Sequence, residues 1–294
     1  MRAAVFMLAC VLAAKATAAI SVRDDAGNIV VLQQPAKRII SLAPHVTELL
    51  FAAGGGASIV GTVSYSDYPP AAKTIPRIGD NWQVDLERLV ALKPDLLVVW
   101  RHNASARQME QLRALGIPLY YSEPHKMTDV AETLERLGKL LGTEQQANRS
   151  AGELRQGLSA LAARFSQRPT VRVFYQVWDR PLYTLNSSHI ISDAIRVCGG
   201  ENIFAQMPMA APQIGVEAVL QKNPEAVIAG TLRDRASDGA AIWKKYPTLE
   251  ATRHDNLFTL DGDLLNRPGP RIISGAAALC EKLEQARIHR GERP

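Results

Sequence analysis

The stretch Leu86–Trp100 has the sequence LERLVALKPDLLVVW, and the stretch Val216–Gly230, which begins 130 residues later, has the sequence VEAVLQKNPEAVIAG. Each contains a glutamate, a short apolar pattern with helical spacing, a proline followed by an acidic residue, and an apolar run. A short helix followed by a buried strand is one unit of a parallel α/β sheet. Its recurrence predicts two similar α/β lobes in this chain of 294 residues.

Strands and helices alternate around both copies, which favours parallel sheets covered by helices on both faces. In the first lobe the predicted strands are 38–42, 59–63, 96–100 and 118–122, and the predicted helices are 47–53, 84–92 and 108–115. In the second lobe the predicted strands are 171–176, a short strand at Ile203, 226–229 and 257–260, with helices at 189–197 and 216–221.

Residues 144–165 differ from both lobes because they contain no proline and place apolar residues at helical spacing. Such a helix would be roughly 33 Å long. We therefore predict a first lobe at 36–142, a linking helix at 143–168 and a second lobe at 169–288, with a ligand cleft between the lobes. Because one straight helix connects them, we expect the lobes to keep a nearly fixed angle.

The first 18 residues have the layout of a secretory signal peptide, with Arg2, an apolar run to Ala14 and small residues at 16–18. Cleavage after Ala18 would export the mature chain to the periplasm. A buried N-terminal helix and lipid attachment at Cys10 are the alternatives. No run of 18 apolar residues follows, so we do not expect the mature chain to span a membrane.

Charge and cysteine content narrow the class of protein. Without the leader the chain keeps 32 basic and 29 acidic residues, a net charge of +3. So small an excess, without a basic cluster interleaved with aromatic residues, excludes nucleic acid as a partner. The two cysteines that remain, Cys198 and Cys280, favour one disulfide in an exported chain over two buried free thiols. That bond would close a loop of about 82 residues and stabilise the fold by ~4.5 kcal/mol.

Sequence motifs of several enzyme classes are missing. The chain has no G-x-S-x-G, no P-loop, no G-x-G-x-x-G after its first strand and no H-E-x-x-H. The three glycines at 54–56 follow a predicted helix, where they end it instead of cradling a phosphate. We therefore expect a protein without catalytic activity, resident cofactor or metal.

The carboxyl ends of the predicted strands carry many aromatic and polar residues, and ligands of open parallel sheets bind at this edge. Aromatic residues are only 6% of the chain, yet three of its four tryptophans fall at or near these ends. This distribution favours a large, partly apolar ligand between the lobes, although any one tryptophan taken alone would pack in its own core. The candidate side chains are Tyr65, Tyr68, Trp82 and Trp100 in the first lobe, and Trp178, Asp263 and Arg267 in the second.

Six histidines are scattered singly along the chain. His45, His102 and His125 follow strands of the same lobe, which makes a metal site an alternative hypothesis. For each of them separately, exposure in a loop is the favoured state.

Glu87 and Glu217 occupy the same position in the two repeated units, near a predicted helix start. The helix dipole favours a carboxylate there, which is one explanation for both. The other explanation is that two equivalent acids meet two matching cations on a two-fold symmetric partner, such as a membrane permease dimer.

Six stretches resemble a known family: SYSDYPP, NWQVDLERLVALKPDLLVVWR, RQMEQLRALGIPL, VCGGENIF, PQIGVEAVL and GPRII. In this order they are similar to the cobalamin-binding receptors of bacterial ABC importers, which are helix-linked (class III) solute-binding proteins. The similarity covers about Arg38 to Leu283. Other members of the wider family bind haem and iron-siderophores on the same two-lobe scaffold.

The resemblance implies roles for most of the candidate residues. Cobalamin would be the transported ligand, and the receptor would be monomeric when free. Its membrane partner would be an ABC permease dimer with ATPase subunits. The implied ligand-facing residues are Tyr65, Trp82, Trp100 and 263–267, the implied docking acids are Glu87 and Glu217, and the implied disulfide joins Cys198 and Cys280.

Five positions depart from the pattern of cobalamin receptors. Ala211 stands where such a receptor has a tryptophan, and His45 stands where it has an alanine. Leu264, Leu265 and Asn266 replace Trp-Phe-Glu, so the second-lobe wall of the ligand site would be less aromatic. His45 or His102 would then be a candidate ligand for a central cobalt or iron.

The sequence therefore predicts an exported, non-enzymatic receptor that binds a corrinoid, cobalamin above all, between two α/β lobes. A haem, iron-siderophore or transition-metal receptor on the same scaffold is the alternative.

Overall fold

The computed structural model describes residues 19–80, 83–100, 105–231 and 239–291. Its strands, in chain order, are β1 (Ile20–Arg23), β2 (Ile29–Leu32), β3 (Ile39–Ser41), β4 (Ile59–Thr62), β5 (Leu96–Val99), β6 (Leu119–Tyr121), β7 (Val171–Gln176), β8 (Trp178–Asp179), β9 (Leu182–Tyr183), β10 (Gly200–Asn202), β11 (Ala226–Gly230) and β12 (Leu257–Leu260). Its α-helices are α1 (Pro44–Ala52), α2 (Leu86–Ala91), α3 (Ala106–Ala114), α4 (Met127–Leu141), α5 (Glu144–Phe165), α6 (Ile190–Val197), α7 (Val216–Lys222), α8 (Glu250–Arg253), α9 (Gly262–Leu265) and α10 (Ile272–His289).

Two four-stranded parallel sheets form the centres of two lobes. The strand order is β4-β3-β5-β6 in the first lobe and β10-β7-β11-β12 in the second. The prediction of two α/β lobes with parallel sheets is confirmed. In each sheet the strand of the repeated unit, β5 or β11, lies at an inner position, where both of its edges form hydrogen bonds.

Alternating residues of the inner strands cover the two faces of each sheet, as the two-residue period of a strand requires. In the first lobe Val98 packs toward α1 and α4, whereas Leu97 and Val99 pack toward α2 and α3. In the second lobe Ile228 and Val227 divide in the same way. Continuous apolar runs such as LLVV are explained by this burial on both faces.

Helix α5 links the two lobes over 22 residues, as predicted. It packs closely on α4, where a Cβ at Gly138 would lie only 2.4 Å from Ala147 Cβ. The hydrophobic core continues from Ile39 of the first sheet through Ala151 of α5 to Val173 of the second sheet. The lobes also meet directly, since Asp193 of α6 accepts a hydrogen bond from the Met127 N–H at the start of α4 (2.9 Å).

Several elements differ from the sequence-based expectation. Helices α4 and α10 and the hairpin β1–β2 lie outside the predicted set, and the short strand expected at Ile203 ends at Asn202. Small residues such as Gly275 and Ala276 fill the first half of α10, so its apolar periodicity is weak. Among the helices of the described ranges, none is long and apolar enough to cross a membrane.

Candidate functional site

Tyr65 and Tyr68 lie in the loop that follows β4, at the carboxyl edge of the first sheet. Their side chains are 55% and 43% exposed. Tyr65 has a φ of +65°, a left-handed conformation that bulky residues rarely adopt. Its carbonyl oxygen accepts a hydrogen bond from Arg267 Nη2 of the second lobe (3.2 Å). The loop therefore presents two aromatic side chains to solvent while its backbone is held from the other lobe.

Charged residues of both lobes meet behind this loop, and we call Glu48, Asp67, Asp263, Arg267 and Arg271 the interlobe seam. Arg271 donates from Nε and Nη2 to the two oxygens of Glu48 (2.8 and 2.6 Å). Arg267 Nη1 lies 3.1 Å from Glu48 Oε1 and 3.4 Å from Asp67 Oδ1, and its Nη2 lies 3.1 Å from Asp263 Oδ1. Of the predicted ligand-binding residues, the structure thus brings Asp263 and Arg267 close to the loop that carries Tyr65 and Tyr68, which we call the tyrosine loop.

The seam is a strongly coupled electrostatic cluster. The hydrogen bonds that Arg271 donates to Glu48 raise the pKa of Arg271 above its usual value, and burial opposes that shift. The Arg271 guanidinium also lies over the Tyr68 ring, 4.1 Å from its centroid, in a cation–π contact. Both arginines are therefore fixed on one side by a carboxylate and on the other by the tyrosine loop.

His45 and Trp100 stack edge to face beside the seam, with ring centroids 5.0 Å apart. His45 is only 1% exposed, so the expectation of an exposed loop histidine is wrong for this residue. Residue 45 is the second residue of α1, and a Cβ at Gly269 of the other lobe would lie 3.7 Å from its own Cβ. His45 is buried only because both lobes cover it, and no local sequence pattern contains this information.

The His45 imidazole is neutral over the physiological pH range. Burial and, to a smaller extent, nearby Arg267 lower its pKa to about 3, and a hydrogen bond with the Ser122 backbone opposes this shift in part. Among the described residues its Nε2 has no hydrogen-bond partner. A neutral imidazole with an unpartnered nitrogen is the form that coordinates metals.

The second-lobe candidates divide between partly exposed and buried positions. Trp178 is half-buried in β8 and donates its indole N–H to the Arg180 carbonyl (3.0 Å). Leu264 and Asn266 are also half-buried, and Asn266 Oδ1 accepts a hydrogen bond from the Tyr175 hydroxyl (2.8 Å). Leu265 is 0% exposed and packs in the hydrophobic core.

Two candidates, Trp82 and His102, lie outside the described residues. His125 lies within them, is exposed, and forms a hydrogen bond through Nδ1 with the Ser188 carbonyl of the second lobe (3.1 Å). Across the described ranges, no group of three or more His, Cys, Asp or Glu side chains has the arrangement of a metal site.

Glu87 and Glu217 are each the second residue of a helix, α2 and α7, and both are exposed. The helix starts differ, because Asp85 caps α2 by accepting from the Arg88 N–H (3.0 Å), whereas α7 begins after Gly215. The repeat thus displays one carboxylate per lobe in the same local setting, where the helix dipole stabilises it.

Cys198 and Cys280 form a disulfide, as the sequence favoured and the resemblance implied. Both are fully buried, and the bond joins the end of α6 to the middle of α10. The disulfide cross-links two helices of the second lobe, since both helices pack on that lobe's sheet.

Glu48 and Arg271 were missed by the sequence analysis. Arg271 lies in GPRII, one of the stretches that carry the resemblance, but Glu48 has only the appearance of an ordinary helix residue. Its burial at 3% exposure is the signal, and it becomes visible only when the two lobes are placed together.

Two parallel-sheet lobes, one linking helix and a charged seam beneath exposed aromatic residues define a helix-linked binding protein. A model of the periplasmic binding protein family matches residues 39–264, and the chain belongs to this family. A vitamin B12-binding protein of Vibrio parahaemolyticus is 33% identical to this chain over 265 residues, which are 90% of this chain and 95% of the relative.

Further relatives support the same family assignment. A vitamin B12-binding protein of Yersinia pestis is 36% identical over 251 residues, 85% of this chain and 87% of the relative. The crystal structure of a periplasmic vitamin B12-binding protein of Vibrio cholerae superposes with a TM-score of 0.80 at 34% identity and covers 86% of this chain and 98% of its own. A haem-binding protein of Roseiflexus, at 24% identity and a TM-score of 0.73, shares the fold.

Proposed function

We propose that this chain is an exported receptor that captures a corrinoid, cobalamin above all, between its lobes and delivers it to a membrane ABC importer. The observation that carries the proposal is the pair of exposed tyrosines, Tyr65 and Tyr68, held over a charged seam at the carboxyl edge of the first sheet. Flat rings beside polar groups suit a large ligand with an apolar face and amide-rich edges. Curated relatives with the name vitamin B12-binding protein support this ligand class.

The ligand surface would draw on both lobes. In the first lobe it would contain Tyr65, Tyr68, Trp82 and Trp100, and in the second lobe Trp178, Asp263, Leu264, Asn266 and Arg267. Leu265 would support this surface from the core because its side chain has no exposed area. The lobes would have the bounds 36–142 and 169–288, with the linking helix at 143–168 between them.

Export would follow removal of residues 1–18 and would place the mature receptor in the periplasm as a monomer. Glu87 and Glu217 would then dock matching arginines on the two subunits of a permease dimer that works with ATPase subunits. Their support is the equivalent and exposed placement at the start of α2 and α7. Cobalamin would be cargo, and the receptor itself would need no cofactor and catalyse no reaction.

A haem or other metal-complex receptor is the second candidate, and His45 is the observation that favours it. Its neutral, unpartnered Nε2 lies beside Trp100 at the interlobe contact. If this nitrogen coordinates the ligand's metal, the visible spectrum of the bound ligand will change in the His45→Ala protein. If His102 coordinates it instead, the spectrum will change in the His102→Ala protein. Unchanged bands in both variants would contradict coordination by either residue.

Calorimetric titration of the mature protein with cyanocobalamin, cobinamide and haemin tests the proposal. Tight one-to-one binding of cyanocobalamin is the expected result, and cobinamide separates recognition of the corrin ring from recognition of the nucleotide tail. Firm haemin binding without corrinoid binding would replace cobalamin by haem. In that case Ala211, Leu264 and Leu265 would mark the change of specificity.

A further inference from the structure

Glu48 lies in the middle of α1 in the first lobe and is 3% exposed. Its two oxygens accept three hydrogen bonds from the second lobe, two from Arg271 (2.8 and 2.6 Å) and one from Arg267 (3.1 Å). Removing a carboxylate from water is costly unless cations and hydrogen bonds compensate it. Here the compensating hydrogen bonds come from Arg267 and Arg271 across the lobe boundary, so Glu48 depends on the contact between the two lobes for these partners.

Both arginines, which donate to Glu48, also contact the loop that carries the exposed tyrosines. Arg267 donates to the Tyr65 carbonyl (3.2 Å) and lies 3.4 Å from Asp67. Arg271 places its guanidinium 4.1 Å from the centre of the Tyr68 ring. One buried carboxylate is therefore connected to both aromatic residues through one intermediate side chain each.

The backbone of Tyr65 shows why this connection matters for presentation of the ring. A φ of +65° is unfavourable for a tyrosine, and such conformations persist only where surrounding contacts hold them. The Arg267 hydrogen bond is a contact of this kind, because it fixes the carbonyl of the strained residue. Without an oriented Arg267, we expect the loop to relax and the Tyr65 ring to change direction.

We propose that Glu48 is a positioning residue of the ligand site: it orients Arg267 and Arg271 across the lobe boundary, and these two arginines present the rings of Tyr65 and Tyr68 to the ligand. The identity of the ligand rests on the proposed function, whereas the positioning of the loop does not. Arg271 shares this role, since its two hydrogen bonds to Glu48 and its contact with Tyr68 form one continuous link.

The chain contains a matched control for this cluster. Glu284 is also a nearly buried carboxylate that holds two arginines, with Arg168 at 2.6 and 3.3 Å and Arg287 at 2.9 Å. Arg287 also donates to the carbonyls of Pro169, Cys198 and Gly199. This cluster therefore stabilises the second lobe itself and not the contact between the lobes. Glu48→Gln and Glu284→Gln thus remove the same charge from similar settings with different connections.

The experiment compares both variants with the wild type in the mature, full-length chain. Cyanocobalamin titration and hydrogen exchange of the backbone amides of residues 64–68 are measured alongside thermal unfolding. We expect both variants to unfold at lower temperature, but only Glu48→Gln to weaken binding at least tenfold and to speed exchange of the tyrosine loop. Glu48→Gln with wild-type affinity and wild-type loop exchange would overturn the proposal, as would equal effects of Glu284→Gln on both.

Two features keep the test decisive. If Glu48→Gln does not fold, Arg271→Lys keeps the charge but loses the two-pronged contact, and the same loop-exchange criterion applies to it. If the wild type binds no corrinoid, the proposed function fails, whereas loop exchange in the ligand-free protein still tests Glu48. Fast loop exchange in Arg271→Lys or Glu48→Gln supports the positioning role in either case.

Discussion

The two copies of the helix–strand unit are similar in their middle and differ at the end of the strand, next to the proposed ligand site. In the first lobe β5 is followed by Trp100, whose ring contacts His45 beside the seam. In the second lobe β11 ends at Gly230, where a Cβ would lie 3.1 Å from Asn266 Nδ2 and 3.3 Å from the Tyr175 hydroxyl. A bulky side chain is thus excluded at the second strand end, because α9 packs directly on it.

The first half of each unit has a similar backbone in the two lobes, although the residues that cap the helices differ. Glu87 and Glu217 are both second residues of their helices, and Lys93 and Asn223 both have left-handed backbones, with φ of +46° and +45°. Equivalent geometry is therefore kept where we propose that a two-fold symmetric partner docks. It is abandoned where one asymmetric ligand would be bound.

The largest difference in stability between the lobes should come from the disulfide, which only the second lobe contains. Replacing Cys198 and Cys280 together by alanine should lower the free energy of unfolding by ~4 kcal/mol, because the unfolded chain loses a closed loop of about 82 residues. Denaturant unfolding with hydrogen exchange measures this. Exchange should rise first in α6 and α10, and an equal rise in the first lobe would contradict a local role.

Charge reversal at Glu87 and at Glu217 tests whether these two equivalent acids act as a pair in the proposed docking. Glu87→Arg or Glu217→Arg should each reduce uptake through the reconstituted importer roughly 30-fold, because like charges at an interface cost several kcal/mol. Corrinoid affinity should not change. Glu110→Arg, at an exposed position of α3, is the matched control and should leave uptake intact. A large affinity loss from Glu87→Arg alone would contradict docking.

Much of this scaffold could be predicted from the sequence because its signals are local. The repeated unit, the linking helix and the apolar strands each have a pattern within about 20 residues. The seam has no such pattern: Glu48 and Arg271 are 223 residues apart and meet only because the lobes are in contact. His45 was misjudged for the same reason, since Gly269 of the other lobe lies against it.

His45 gives the first lobe a pH dependence that can be measured. Its folded pKa of about 3 lies below the ordinary value of 6.5, so the unfolded chain binds more protons as the pH falls below 6.5. Stability is therefore kept above pH 6.5 and lost progressively toward pH 3. Between pH 8 and pH 5 the wild type should lose ~2 kcal/mol more than His45→Gln in urea unfolding.

A matched histidine separates this effect from general acid destabilisation. His254 is exposed at the end of α8, and His254→Gln is the control that removes a histidine outside the interlobe contact. Parallel pH profiles for the wild type and His45→Gln would mean that His45 protonates without opening the interlobe contact. The burial of His45 between Trp100 and the second lobe would then not persist in solution.

The smallest expected effect concerns the left-handed residue before the proline of each unit. Asparagine tolerates this conformation better than lysine, so Lys93→Asn should stabilise the protein by ~0.5 kcal/mol. The reverse change is not its mirror image, because the Asn223 side chain also accepts a hydrogen bond from the Glu250 N–H (2.9 Å). Asn223→Lys should therefore cost ~1–2 kcal/mol, from backbone strain and the lost bond together. Thermal unfolding of both variants measures the difference, and equal and opposite shifts would show that only the backbone conformation matters at this turn.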